Sequence, residues 1–186
     1  MKKVYFFISL AISIISVSWP GIFKLDLLLP LLTAIIIHEL GHILMIYAMD
    51  LQLNRIRFEP TGFRIEYSLS GNIIKDLLIA GAGPALGLVF CFLTKNAEGM
   101  LAFSAELSLL YSLFNLLPAY PLDGGRIISL LTLKYFEPVA AEQFYCSISL
   151  VIVVCIVLLG LLWFLEGEGG AMLAAGIWLL LMQNGN

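Results

Sequence analysis

Long apolar segments separated by short polar ones dominate this chain. A helix that crosses a bilayer needs about 20 mostly apolar residues, and most of these segments reach that length. The predicted spans are Val4–Phe23, Leu27–Met49, Ile73–Leu93, Met100–Leu117, Phe144–Leu165 and Ala171–Met182, of which the last is short and marginal. The pattern therefore predicts an all-α polytopic membrane protein with about six transmembrane helices.

The polar segment between the second and third predicted spans has a different period. Apolar and polar side chains alternate, most clearly over residues 63–69, after the turn-forming run Pro60-Thr61-Gly62. This alternation predicts a small β-hairpin within Asn54–Leu69. One edge of such a hairpin could pair with an extended substrate segment by strand addition. The alternative is a hairpin that only caps the membrane face.

Composition supports a single membrane-embedded domain over residues 1–186. The chain is 61% hydrophobic and 12% charged, whereas soluble domains are about 45–50% apolar and about 25% charged. Its net charge is −3, so it lacks the basic surface of a nucleic-acid-binding protein. The expected surroundings are a lipid bilayer, with no nucleic acid as partner.

The N-terminal apolar stretch has two interpretations. Lys2 and Lys3 precede an apolar run with small residues at Ser16 and Ser18, which resembles a cleaved signal peptide. We favour a retained helix, because Trp19–Phe23 continues the apolar run past that site.

The distribution of basic residues predicts the orientation in the cell membrane, because cytoplasmic loops carry an excess of Lys and Arg. A cytoplasmic N-terminus leaves only Lys24 and Lys95 outside. It places the remaining basic residues on the inner side: Lys2, Lys3, Arg55, Arg57, Arg64, Lys75, Arg126 and Lys134.

The second predicted span carries the run His38-Glu39-Leu40-Gly41-His42, which contains both histidines of the chain. Residues four apart lie on one face of a helix, so the two imidazoles can bind one metal ion. Two imidazoles, one further ligand and an open position are typical of catalytic zinc. Glu39 beside them is placed to act as a general base. A carboxylate inside an apolar span is costly and usually functional.

A third ligand is expected where the chain breaks after the fourth predicted span. The run from Asn115 to Arg126 holds two prolines and two glycines, which exclude a regular helix there. Irregular backbone at membrane depth must line a cavity or be buried in protein, and Asp123 lies in this break. Asn115 ends a stripe with Ser104, Ser108 and Ser112 at helical spacing. The serines suit interhelical packing, and Asn115 can orient a substrate carbonyl.

With these residues in hand, the chain resembles the site-2 protease family of intramembrane zinc metalloproteases. The resemblance rests on H-E-L-G-H at His38–His42 and on N-x-x-P-x-x-x-L-D-G at Asn115–Gly124. It implies one zinc ion per chain bound by His38, His42 and Asp123, with Glu39 as general base and Asn115 positioning the substrate. It also implies that the zinc lies in the membrane nearer the cytoplasmic side.

Ala80–Gly87 is similar to the family's G-P motif, although Gly87 stands where many members have asparagine. Gly83 and Gly87 also have the spacing of small residues at helix interfaces.

The resemblance implies peptide-bond hydrolysis in or near a transmembrane segment of a membrane-tethered regulatory protein. Transcription-factor precursors, anti-sigma factors and sporulation sigma-factor precursors are the expected substrate classes, and another membrane protein is an expected regulator. Two alternatives remain at this point. One is a membrane zinc hydrolase with a different substrate, and the other is a metal-binding transporter, although no repeated halves are visible.

Overall fold

Six helices and two strands follow one another along the described part of the chain. In this computed structural model that part comprises residues 25–59, 62–67, 71–167 and 170–183. The elements are α1 (Leu25–Ala48), β1 (Leu53–Glu59), β2 (Gly62–Tyr67), α2 (Ile73–Leu93), α3 (Gly99–Asn115), α4 (Asp123–Tyr135), α5 (Pro138–Leu165) and α6 (Ala171–Gln183). The predicted span Val4–Phe23 and its signal-peptide alternative lie outside the described residues.

The prediction of about six transmembrane helices is wrong for the described residues. Three helices are long and apolar enough to cross a membrane, namely Leu28–Ala48 of α1, all of α2 and all of α5. Helix α3 has 17 residues and α6 has 13. At 1.5 Å per residue they measure about 26 Å and about 20 Å, less than the bilayer core of about 30 Å. Among the described residues, fewer helices are long enough to cross a bilayer than the apolar stretches predict, and the three long apolar helices support membrane association.

Helix α4 corrects a second expectation, that the Pro–Gly run excludes regular helix throughout. The irregular backbone ends at Leu122, and α4 begins at Asp123 with two glycines in its first turn. A Cβ added to Gly124 would lie 2.1 Å from the carbonyl oxygen of Leu116. The start of α4 thus packs directly on the preceding turn, which offsets the roughly 1 kcal/mol that glycine costs in a helix.

Between α1 and α2 the chain forms two short antiparallel strands. Phe58 lies opposite Phe63, Arg57 lies opposite Arg64, and the register is irregular between Leu53 and Arg55. Residues 60–61 at the turn lie outside the described residues. Pairing of this edge with a substrate segment stays a prediction.

Helix α4 joins two groups of helices. Helices α1, α2 and α3 pack against one another, and α5 packs against α6, while α4 contacts both α2 and α5. A buried apolar cluster combines the segment before α4 with the C-terminal pair: Ala119, Leu122, Val153, Ile156, Trp178 and Leu179. This arrangement brings the start of α4 against α1, where the two histidines lie.

Candidate metal centre

Helix α1 presents His38 and His42 on one buried face, and the start of α4 brings Asp123 to them. The side chains of His38 and His42 are 2% and 10% exposed. Oδ2 of Asp123 lies 2.9 Å from Nε2 of His38 and 3.2 Å from Nε2 of His42. The two Nε2 atoms are 3.3 Å apart. Three donor atoms from residues up to 85 positions apart therefore form one small triangle.

This triangle has the size of one face of a tetrahedral zinc site. Zinc bonds to imidazole nitrogen and carboxylate oxygen are about 2.0–2.2 Å long, so two tetrahedral ligands lie about 3.3–3.5 Å apart. The observed edges fall at this value or a few tenths of an ångström below it. Two imidazoles and one carboxylate are also a donor set that zinc prefers in catalytic sites. The residues present therefore fit zinc.

A backbone carbonyl of α2 orients His42. Nδ1 of His42 lies 2.8 Å from the carbonyl oxygen of Ile79 and donates its hydrogen to it. The proton on Nδ1 leaves the lone pair of Nε2 free for a metal. No property of the Ile79 side chain enters this contact, so sequence reasoning could not have found it.

His38 is oriented by packing instead. Among the described residues its Nδ1 is buried and has no hydrogen-bond partner. The ring of Tyr111 on α3 meets the imidazole edge-on, with the ring centroids 4.8 Å apart and the planes at 78°. Sequence reasoning missed Tyr111, although it lies four residues before Asn115 and so shares its helix face.

Asp123 lies at the first turn of α4, where the helix dipole favours a negative charge. A carboxylate must be ionised to bind a metal, and this position at the start of a helix favours the ionised form.

Glu39 is buried beside the three ligands. The residue is 9% exposed, and its carboxylate interacts electrostatically with His42 and Tyr111. It lies outside the group of three candidate metal ligands. The structure thus brings one carboxylate to the ligand triangle and leaves a second next to it, as a separate acid–base group requires.

Close contact between α1 and α2 depends on two glycines. A Cβ on Gly41 would lie 2.4 Å from the carbonyl oxygen of Ala82, and a Cβ on Gly83 would lie 2.2 Å from Nε2 of His42. Both distances are far below a van der Waals contact. The Nε2 atom of His42 therefore lies directly over the backbone of α2.

The serine stripe of α3 faces the interior, as predicted. Ser104, Ser108 and Ser112 are buried, and the hydroxyl of Ser108 donates to the carbonyl oxygen of Gly87 at 3.3 Å. A Cβ on Gly87 would lie 2.1 Å from Oγ of Ser112. Ser112 therefore occupies the space that a longer side chain at position 87 would need.

Asn115 lies outside the ligand triangle. Its amide nitrogen donates to the backbone carbonyl of Tyr111 at 2.9 Å, one turn earlier on α3. The side chain is half-buried. Its predicted role toward a substrate carbonyl stays a prediction.

A comparison with protein-family models matches residues 93–159 to peptidase family M50. The matched residues include Asn115 and Asp123, and they pack against the α1 motif at the metal centre. This part of the chain is therefore similar to peptidase family M50.

Relatives of this chain include a zinc metalloprotease of Methanocaldococcus jannaschii, 28% identical over 167 residues. Stage IV sporulation protein FB of Bacillus subtilis is 32% identical over 136 residues. These matches cover 83% and 66% of this chain and 47% and 46% of the relatives. The chain thus spans about half the length of each of these two relatives.

Among solved structures, this chain is similar to the site-2 protease from Methanocaldococcus jannaschii. The TM-score is 0.75 at 22% sequence identity, over 97% of this chain and 87% of that one. At this level of identity the similarity concerns the fold.

Proposed function

We propose that this protein is an intramembrane zinc metalloprotease that hydrolyses a peptide bond in or near a transmembrane segment of a membrane-tethered regulatory protein. One observation carries the proposal. The side chains of His38, His42 and Asp123 converge to a triangle of zinc-site dimensions, with the Glu39 carboxylate buried next to it. The names of the curated relatives support the same activity.

In this proposal His38, His42 and Asp123 hold the metal. Zinc supplies Lewis acidity toward the scissile carbonyl and lowers the pKa of a water ligand to about 7. Glu39 takes the proton of the attacking water and returns it to the leaving amine.

The position of the motif in α1 supports cleavage within the membrane. His42 lies six residues before Ala48, the last residue of the candidate span, which is about 9 Å along a helix axis. With the N-terminus in the cytoplasm, this end of α1 is the cytoplasmic one. We therefore place the active site in the membrane nearer the cytoplasmic side.

A substrate helix must unwind before its carbonyls can be attacked, because they are occupied by its own hydrogen bonds. Asn115 lies next to Tyr111 on α3, and its amide donates within its own helix through the Nδ2 hydrogens. Reorientation of this amide toward an unwound substrate carbonyl is the role we propose for Asn115.

The packing of both helix groups through α4 supports one metalloprotease domain across the described residues.

The test uses purified protein in detergent, a panel of membrane-tethered peptides, and zinc content measured by mass spectrometry. We expect about one zinc per chain in the wild type and in Glu39→Gln, with cleavage by the wild type alone. His42→Ala should lose both zinc and cleavage. Glu106→Gln, an exposed carboxylate on α3, is the matched control and should behave like the wild type.

Three results would contradict the proposal. Absence of zinc from the wild type, when it is purified with zinc present, would refute the proposed metalloprotease activity. Unchanged cleavage by the Glu39→Gln variant would show that Glu39 is not the general base. Metal flux across vesicles without cleavage would favour the transporter instead.

A further inference from the structure

The segment that leads into Asp123 is enclosed by the two C-terminal helices. Ala119 and Leu122 are 0% and 6% exposed, in one apolar cluster with residues of α5 and α6: Val153, Ile156, Trp178 and Leu179. Leu122 immediately precedes Asp123. The carboxylate at the metal centre is thus attached to a backbone whose side chains are buried in the α5–α6 interface.

A single hydroxyl group anchors the backbone of this segment. The amide of Tyr120 donates to Oγ of Ser149 on α5 at 2.9 Å. The side-chain amide of Gln183 at the end of α6 donates to the same oxygen. Ser149 is 1% exposed. One buried oxygen therefore links the segment before Asp123 to both C-terminal helices.

The neighbouring glycine reinforces the contact. A Cβ on Gly125 would lie 2.5 Å from the carbonyl oxygen of Ala119 and 3.0 Å from the hydroxyl of Tyr145. The first turn of α4 is therefore wedged between its own leading segment and α5. Movement of that segment would move Asp123 with it, because only Leu122 and one proline separate Asp123 from the anchored amide of Tyr120.

We propose that Ser149, held by Gln183, is a positioning residue for Asp123 and that the α5–α6 pair thereby supports the metal centre. Without Oγ of Ser149, the partly buried Tyr120 amide would lose its acceptor, which would destabilise the arrangement that holds Asp123 in place. Supporting groups of metal ligands change metal affinity by about 10–100-fold. This inference rests on the proposed zinc centre.

The experiment measures zinc affinity of the full chain in detergent by competition with a chelator, together with hydrogen exchange at the Tyr120 amide. We expect Ser149→Ala to bind zinc about 10-fold more weakly and to exchange the Tyr120 amide faster. Cleavage should recover at saturating zinc. Ser149→Thr retains the hydroxyl and should restore both values. Ser147→Ala is the matched control, because Ser147 is exposed on α5 and its hydroxyl donates to the carbonyl oxygen of Gln143 in its own helix.

Zinc affinity of Ser149→Ala within twofold of the Ser147→Ala control would overturn the inference. So would equal weakening by Ser149→Thr and Ser149→Ala. If Ser149→Ala does not fold, zinc affinity is measured on Gln183→Met, which lacks the amide that holds Ser149. Unchanged zinc affinity in that variant would contradict the proposal. A wild type without zinc would instead refute the proposed function, and the Tyr120 exchange rates would still report whether Ser149 anchors the segment.

Discussion

Replacement of Gly83 by alanine should disrupt the metal centre, although Gly83 is not itself a candidate metal ligand. The new Cβ would lie 2.2 Å from Nε2 of His42, 2.6 Å from its Cε1 and 2.8 Å from its Cδ2. Non-bonded heavy atoms need about 3.5 Å, so the ring must move by roughly 1.3 Å. Metal–ligand distances hold only within about 0.2 Å. The displaced nitrogen can no longer complete the triangle with His38 and Asp123.

The ring has no inexpensive way to retreat. Its Nδ1 donates to the carbonyl of Ile79 on the same helix as Gly83, so rotation away from Gly83 breaks that bond. Separation of α1 from α2 would open the contact at Gly41. We expect zinc affinity to fall by at least about 100-fold, beyond the range for supporting groups because a ligand itself is displaced. Overpacking should also cost about 1–3 kcal/mol of stability.

The assay is zinc content after equilibration with a chelator of known affinity, with thermal unfolding measured on the same samples. Gly81→Ala is the matched control, because a Cβ at Gly81 meets nothing within 4 Å. That variant should retain zinc and gain up to about 1 kcal/mol from helix propensity. Wild-type zinc affinity in Gly83→Ala would refute the reasoning. Equal losses of zinc affinity in Gly83→Ala and Gly81→Ala would show that a change in helix α2, rather than the contact with His42, causes the loss.

Further predictions concern single contacts at the centre. Gly41→Ala should lower the free energy of unfolding by about 1–3 kcal/mol, and with it the unfolding temperature, because the new Cβ would overlap the carbonyl oxygen of Ala82. An unchanged melting curve would contradict the close α1–α2 contact. Tyr111→Leu should weaken zinc binding several-fold by freeing the His38 ring, whereas Tyr111→Phe should not, and chelator competition compares the two. Asp123→Asn keeps the side-chain shape but loses the charge, so zinc content should fall by about 10-fold or more; full occupancy would exclude Asp123 as a ligand. Chelation should abolish cleavage, and zinc should restore it; cleavage that persists in chelator would argue for a metal-independent reaction.

Much of the candidate site could be predicted because its signals are local. The four-residue spacing of His38 and His42 places them on one helix face in any fold that keeps α1 helical. Glu39 inside an apolar span indicated function for the same local reason. The long apolar runs indicated a membrane protein without reference to any contact.

Span number could not be predicted as reliably, because hydropathy does not report where a helix ends. Helix α3 ends at Asn115 and α6 has 13 residues, so both stop short of a bilayer thickness. The helix from Asp123 was also missed. Its glycines are unfavourable in isolation, and they are accommodated only because the turn at Leu116 packs where their side chains would be.

Chain pattern alone established the membrane environment, the histidine pair and the identity of the carboxylates, because each depends on neighbours a few residues away. Packing alone established which of these groups meet. His42 and Asp123 are 81 positions apart, and their 3.2 Å approach exists only because α4 is held between α2 and α5. The Ile79 carbonyl and the Ser149 hydroxyl act through backbone and long-range contacts that no local pattern encodes. Local periodicity therefore selects the chemical groups, and the close approach of helices brings them within bonding distance.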